Sequence, residues 1–125
     1  MDFNDCPTEN AQAVGAGAAG GVMTVDWTPA AGELWELLYV DAFHNDAAGP
    51  SCAWLFTDGV TLVQFGNGAA LAINTRRSLY NAEFPPRLYM DSRCTLTFTA
   101  GAGATNGAVA TMNIIGRVLR GIGTL

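Results

Sequence analysis

The chain has 125 residues, of which half are hydrophobic and only 14% are charged, and its formal net charge is −5. This length suits one domain that buries a core without metal or disulfide support. The negative balance argues against nucleic acid as the main partner, because nucleic-acid-binding proteins present a basic patch. A charge content below the usual value of about one quarter indicates that a neighbouring protein covers part of the surface, since monomers rarely expose large apolar patches.

The charges are unevenly distributed along the chain. Residues 1–75 hold nine carboxylates and no cation, whereas residues 76–125 hold six arginines and two carboxylates. Strands from the two halves could interleave and neutralise each other, which is the simpler interpretation. Alternatively, acidic and basic faces meet between identical subunits, and arginine suits such contacts because it forms planar bidentate pairs. The second interpretation gives as interface candidates Arg76, Arg77, Arg117 and Arg120.

Residues 1–21 are predicted to form an N-terminal arm that is either flexible or bound to a partner subunit. Residues 10–21 are mostly alanine and glycine, so ordering them costs backbone entropy with little side-chain burial in return. Val14 in this arm is a further interface candidate. The acidic start does not fit a signal peptide, and no run is long enough to span a membrane. Residues 22–125 are predicted to form one β-sandwich domain.

The first half of that domain predicts four strands. Apolar and polar residues alternate from Val22, which is typical of a strand with one solvated face. Residues 33–43 are predicted to be a strand, although Thr28 and Pro29 also suit the start of a helix. Residues 44–50 are a loop by composition. Asp58-Gly59 then predicts a two-residue type I′ hairpin between strands at 51–57 and 60–65.

The second half continues the pattern of short strands and turns. A turn at 66–68, a short strand at 71–74 and a loop at 76–83 precede Pro85-Pro86, which fixes an extended segment into 87–90. Residues 94–99 alternate strictly, with threonines on one side. Residues 109–119 close the domain as a strand, with a helical stripe at 113–122 as the alternative. The whole pattern predicts an all-β antiparallel β-sandwich, jelly-roll-like in arrangement.

The residues that carry chemistry are few, and we expect no catalytic residue, cofactor site or metal site. His44 is the only histidine and falls in the predicted loop. Cys6, Cys52 and Cys94 form no C-x-x-C pair; the last two are predicted to be buried, whereas Cys6 lies in a polar stretch and could be exposed. Residues 15–20 match the G-x-G-x-x-G pattern, but they follow no predicted strand, so the match does not indicate a dinucleotide site.

Two binding or catalytic alternatives remain open from the sequence. A glycoside hydrolase needs two carboxylates brought together, and the available residues are Glu33, Glu36, Asp41 and Asp58. A lectin-like site could use a tryptophan ring as a flat platform for a sugar. Trp35 and Trp54, however, lie among apolar neighbours, where packing in the core is the commoner role.

Residues 27–37, residues 84–90 and the alternating strand 94–99 before a glycine-rich loop resemble the small β-sandwich structural proteins of tailed-bacteriophage particles. These are decoration (cement) or head-spike proteins. The resemblance implies a virion structural protein without an active site, bound to the major capsid protein at the capsid surface and assembled in the host cytoplasm. It also implies a homo-oligomer, usually a trimer. The alternative is a receptor- or carbohydrate-binding module of a phage fibre, spike or tail.

Overall fold

A computed structural model describes residues 6–18, 22–65, 70–79, 88–101, 105 and 107–121. Within these ranges the regular structure consists of nine β-strands and contains no helix, and every strand pair is antiparallel. The strands are β1 (Thr8–Ala18), β2 (Val22–Trp27), β3 (Glu33–His44), β4 (Cys52–Thr57), β5 (Leu62–Phe65), β6 (Arg77–Ser78), β7 (Leu88–Met90), β8 (Thr95–Ala100) and β9 (Val109–Arg120).

The strands form two layers of a curled sheet. Layer I has the order β1-β9-β3-β6, with β7 also paired to β3, and layer II has the order β5-β4-β8-β2. The two layers join where residues 17 and 18 of β1 pair with the start of β2. Successive strands from β1 to β4 alternate between the two layers, and the first strand, β1, pairs with the last, β9. This strand order is that of a jelly roll. The predicted all-β, antiparallel, jelly-roll-like fold is confirmed.

A single hydrophobic core fills the space between the layers. Alternate residues of β8 and β9 are buried, which is the period of two expected of strands and not the 3.6 of a helix. Trp54 and Phe98 form the centre of layer II, with ring centroids 5.0 Å apart. The strand predictions for 33–43 and 109–119 are therefore confirmed, and the helical alternatives are wrong.

The prediction of an N-terminal arm is wrong for residues 8–18. These residues form β1, which pairs with β9 from Thr8↔Arg117 to Ala16↔Val109 within the same chain. Their glycines permit close packing: a Cβ on Gly15 would lie 2.0 Å from the carbonyl oxygen of Thr24. Small residues here let β1 cross closely over β2. Residues 1–5 and 19–21 lie outside the described residues.

Two local predictions also need correction. The β4–β5 connection is a four-residue loop, 58–61, because Thr57 pairs with Leu62 and the Asp58 carboxylate accepts hydrogen bonds from the backbone N–H groups of Val60 and Thr61. Residues 71–74 form a turn instead of a strand, since Asn74 has a left-handed φ of 57°. The predicted turn at 66–68 and the Pro85-Pro86 segment lie outside the described residues.

Cys6 and His44 are both buried, contrary to expectation for a polar stretch and a loop. Cys6 is 8% exposed, and His44 is the fully buried last residue of β3. Cys52 and Cys94 are buried as predicted, and the described cysteines are free thiols. In the described ranges, no helix is long and apolar enough to cross a membrane.

Candidate functional site

The two outward faces of the jelly roll differ sharply in charge. Face I is the outer side of layer I, formed by alternate residues of β1, β3 and β9 together with Arg76 and Tyr89. Face II is the outer side of layer II, formed by alternate residues of β2, β8, β4 and β5. Ion pairs and tyrosines concentrate on face I, whereas threonines and aliphatic residues cover face II.

Asp41 is the centre of a hydrogen-bond cluster on face I. Its carboxylate accepts hydrogen bonds from three side chains: Arg76 (3.1 Å to each oxygen), the Tyr39 hydroxyl (2.6 Å) and the Asn113 amide (3.0 Å). The Arg76 guanidinium also lies 4.8 Å from the ring centroid of Phe43. The bond to Asp41 raises the pKa of Tyr39, because ionisation would place two anions side by side. Strands β3 and β9 and the residue before β6 are thereby tied to one buried carboxylate.

Glu36 forms a second, similar cluster on the same face. Arg117 and the Tyr89 hydroxyl donate to its two carboxylate oxygens at 3.0 and 2.9 Å. Glu36 and Asp41 are five residues apart, so a regular strand would point them to opposite faces. A register shift between Leu37 and Tyr39 in the pairing of β3 with β9 changes the alternation and brings both carboxylates to face I.

The interface candidates are distributed over several surfaces. Val14 (62% exposed), Arg76 and Arg117 lie on face I. Arg120 pairs with Glu9 and Glu33 at the end of layer I, and Arg77 donates to the backbone oxygens of Cys52 and Ala70.

Four intramolecular pairs join an arginine of the second half to a carboxylate of the first half, which confirms that strands of the two halves interleave. The pairs are Arg76–Asp41, Arg117–Glu36, Arg120–Glu9 and Arg120–Glu33. Contact of these candidate residues with another subunit stays a prediction.

Face II carries hydroxyl groups that bond to each other. Thr24 lies 3.3 Å from Thr99 across the β2–β8 pair, and Thr28 lies 2.8 Å from Thr95, oxygen to oxygen. The Thr97 hydroxyl donates to Asp26 at 2.6 Å. Among the described residues in the strands of this face, Asp26 is the one charged side chain. The strands of this face are therefore nearly uncharged, and their threonine hydroxyls have hydrogen-bond partners within the face.

An aliphatic border adjoins face II at the β4–β5 hairpin. Val60 is 93% exposed at the loop, and Leu62 is 67% exposed at the start of β5. Among the residues that the structure describes, β5 pairs with β4 alone and ends the strand order of layer II, so its other side is an edge of the described sheet. An edge strand with exposed aliphatic residues and no charge is the kind of edge that natural proteins cover or pair.

The loop cluster around His44 and Asp46 is fixed by hydrogen bonds within the chain. His44 Nδ1 accepts from the backbone N–H of Asp46, so Nε2 carries the proton donated to the Leu71 oxygen at 2.8 Å. The backbone N–H groups of Thr105 and Ala48 donate to Asp46 and hold the pKa of this carboxyl below its ordinary value. Within the described part of the chain, no group of three or more metal-ligand side chains is close enough to hold an ion.

Trp35 and Trp54 are too deeply buried to offer a flat ring to a sugar. Trp54 is fully buried and Trp35 is 4% exposed, and Trp27 meets Trp35 edge-on with ring centroids 5.1 Å apart. Their predicted role in the core is confirmed for Trp35 and Trp54. Each of the four carboxylates considered for hydrolysis has hydrogen-bond partners within the chain: Asp41 and Glu36 accept from arginines, Glu33 accepts from Arg120 and Trp35, and Asp58 accepts from backbone N–H groups of the hairpin loop.

A shallow groove of about 410 Å³ crosses face I between β1 and β9. Its floor is the backbone at Ala11 and Ile114. Asn10 and Ile115 line one side, and Gln12 and Asn113 line the other. Sequence reasoning missed this groove because it placed residues 10–21 in an arm. The alternating threonines of β8 could be seen in the sequence, but their contacts with the threonines of the neighbouring strand β2 and the residue after it could not.

Comparisons with known proteins give distant structural neighbours only. No family model matches the chain, and no curated protein matches it. A cryo-EM structure of the virus-like particle of the giant freshwater prawn Macrobrachium rosenbergii extra small virus is similar at 15% identity and a TM-score of 0.38, covering 90% of this chain and 79% of that one.

A second neighbour is an exo-β-1,3-galactanase from Phanerochaete chrysosporium, solved with galactose. Its identity is 14% and its TM-score 0.35, over 92% of this chain and 28% of the galactanase chain. Identities and TM-scores this low leave the function to be argued from the chain's own geometry.

Proposed function

We propose that this protein is a virion structural protein, a capsid decoration or cement protein that binds the major capsid protein and itself as a homo-oligomer. It acts by packing and not by catalysis. The observation that carries the proposal is the contrast between the two faces. Face II is nearly uncharged, and an aliphatic edge borders it, whereas the charges of face I are already paired within the chain.

The composition of face II supports a protein partner. The cores of protein interfaces are depleted in charged residues, and a surface whose hydroxyls already bond to each other loses little on desolvation. The exposed side chains Val22, Val60 and Leu62 supply apolar area at its border. Low charge also fits a subunit whose surface is shared with neighbours.

The edge of β5 supports contact by strand addition. A sheet edge offers backbone N–H and C=O groups to a partner strand, which gives affinity without any catalytic group. No charged residue or proline in residues 62–65 opposes such pairing. The same edge could meet a second copy or the shell protein. Assignment to a virus particle rests on the family resemblance of residues 27–37, 84–90 and 94–99.

The proposal is tested by placing a charge on each face in turn. Leu62→Lys introduces a cation beside face II, and Val14→Lys introduces the same charge at a position of similar exposure on face I. Sedimentation velocity of the full chain measures the oligomeric state, and co-sedimentation with purified capsid shells of the source virus measures binding. We expect Leu62→Lys to dissociate the oligomer and abolish shell binding, while Val14→Lys leaves both unchanged.

Two results would overturn the proposal. One is a wild-type chain that stays monomeric at every concentration and does not bind shells. The other is an oligomer and a shell complex that survive Leu62→Lys and are lost in Val14→Lys. Circular dichroism of both variants verifies that the β-sandwich is intact.

A further inference from the structure

We propose that the groove across face I is a binding site for a neutral saccharide. This site lies on the face opposite to the docking surface proposed above, so it is independent of that proposal. Its walls are formed by three carboxamides, Asn10, Gln12 and Asn113, and by the aliphatic side chain of Ile115. A ring of suitable size can rest on the backbone floor between them.

Asp41 determines the direction of the hydrogen bonds that Asn113 and Gln12 make. A carboxylate only accepts hydrogen bonds, so Asn113 must direct its amide N–H group to Asp41, at 3.0 Å. The Asn113 oxygen then faces Gln12 and accepts from the Gln12 amide nitrogen at 3.0 Å. The chain of bonds ends at Gln12, whose carbonyl oxygen and second N–H are left to meet a ligand. Gln12 thus presents one acceptor beside one donor in a fixed orientation.

Such a pair matches two adjacent hydroxyls of a sugar. Each hydroxyl both donates and accepts, so one can donate to the Gln12 oxygen while its neighbour accepts from the Gln12 N–H. Asn10, on the other wall and exposed, offers a further donor and acceptor. A ligand with several hydroxyls satisfies all of these groups at once. No polar group of the groove then loses its water without gaining a hydrogen bond in return.

Tyr39 supplies an aromatic surface beside the groove, on the neighbouring strand β3. It is the register partner of Ile115, which lines the groove, and it is 41% exposed. The bond from its hydroxyl to Asp41 fixes the ring, so little side-chain entropy is lost when a ligand packs on it. The apolar C–H face of a sugar ring is suited to such a surface.

Charge balance around the groove selects an uncharged ligand. The charged groups beside the groove are paired within the chain: Asp41 with Arg76, Glu36 with Arg117, and Glu9, next to Asn10 in sequence, with Arg120. An anionic or cationic ligand would therefore lose its hydration without gaining an opposite charge. A peptide is less suited, because the groove lies over backbone and offers no deep apolar pocket for a side chain.

Nuclear magnetic resonance of the isotope-labelled full chain tests the site directly. The probes are the methyl glycosides of glucose, galactose and mannose, the disaccharides lactose and cellobiose, and glucuronate as a charged comparison. We expect at least one neutral probe to shift the side-chain amide signals of Asn10, Gln12 and Asn113. Gln12→Ala should weaken that binding about tenfold through the loss of a pair of hydrogen bonds.

The controls separate the groove from the rest of the surface. Thr24→Ala, on face II, should leave binding unchanged, and Asn10→Ala should weaken it in an otherwise identical backbone spectrum. The proposal is overturned if no neutral probe shifts the three amide signals, if Gln12→Ala and Asn10→Ala bind as the wild type does, or if glucuronate binds more tightly than every neutral sugar.

Discussion

At the scale of single residues, two buried carboxylates organise face I. Asp41 and Glu36 are each 2% exposed, and each has an arginine and a tyrosine as partners. The two members of the Arg76–Asp41 pair differ in burial, because 57% of the Arg76 side chain is exposed whereas only 3% of the Asp41 side chain is. Water can replace Arg76 if it is lost, whereas the buried Asp41 carboxylate is the common acceptor of three side chains.

We therefore expect Asp41→Ala to destabilise the fold more than Arg76→Ala. Removing the carboxylate leaves the Tyr39 hydroxyl and the Asn113 amide without their acceptor, which costs about 1–3 kcal/mol, whereas loss of the exposed pair costs about 0–1 kcal/mol. Urea denaturation of the two variants measures the difference. Equal free energies of unfolding would show that the cluster does not depend on its carboxylate.

Acid sensitivity is predicted for the loop cluster at Asp46. Backbone N–H donors lower the pKa of Asp46 in the folded state below its ordinary value of 3.8. The ionised carboxylate therefore contributes stability that is fully present above pH 3.8 and is lost as the pH falls through the lower folded-state pKa. Asp46→Asn should reduce stability near neutral pH and flatten the acid dependence. A variant that keeps the wild-type slope would exclude Asp46 as its source.

At the scale of elements, the strands that could be predicted are those with a regular alternation. Residues 94–99 alternate without interruption, and the structure makes them β8. β1 could not be predicted in the same way, since its alanines and glycines carry almost no hydrophobic pattern. What makes β1 a strand is its long pairing with β9 and its close approach to β2, and neither is visible in a local window.

The irregularity in β3 could not be predicted either. Residues 33–43 have the composition of a strand, but nothing in the order of Leu37, Leu38 and Tyr39 marks the shift of register. The shift is decided by pairing with β9, a contact between distant parts of the sequence. Because it determines which side chains share face I, the candidate groove and the two carboxylate clusters were also beyond sequence reasoning.

The close packing of β1 gives a test at the same scale. Gly15→Ala would place a Cβ 2.0 Å from the Thr24 carbonyl oxygen, so the two strands must separate. We expect a loss of about 1–3 kcal/mol in the free energy of unfolding, as for other overpacked positions. Gly101→Ala is the matched control, since its Cβ would meet nothing closer than 3.8 Å. Thermal unfolding should separate the two variants; an unaffected Gly15→Ala would argue against β1 lying where it does.

At the scale of the whole molecule, the fold separates two kinds of surface. Acids of the first half pair with arginines of the second half, so the charge asymmetry seen along the sequence is largely neutralised in the fold. These ion pairs are concentrated on layer I. Layer II keeps a threonine face and an aliphatic edge. One molecule therefore offers an uncharged surface for packing and a polar surface directed away from it. Jelly rolls occur in both capsid and lectin domains, and this arrangement is compatible with either use of a face.

Hydroxyl-radical footprinting of the assembled protein shows directly which face assembly covers, because both faces carry exposed reactive side chains. Val60 and Leu62 report on the border of face II, and Val14, Tyr39 and Tyr89 report on face I. Relative to the dilute chain, we predict strong protection of Val60 and Leu62 on assembly, with Val14, Tyr39 and Tyr89 remaining reactive. Protection of the face I residues while Val60 and Leu62 stay reactive would contradict the account.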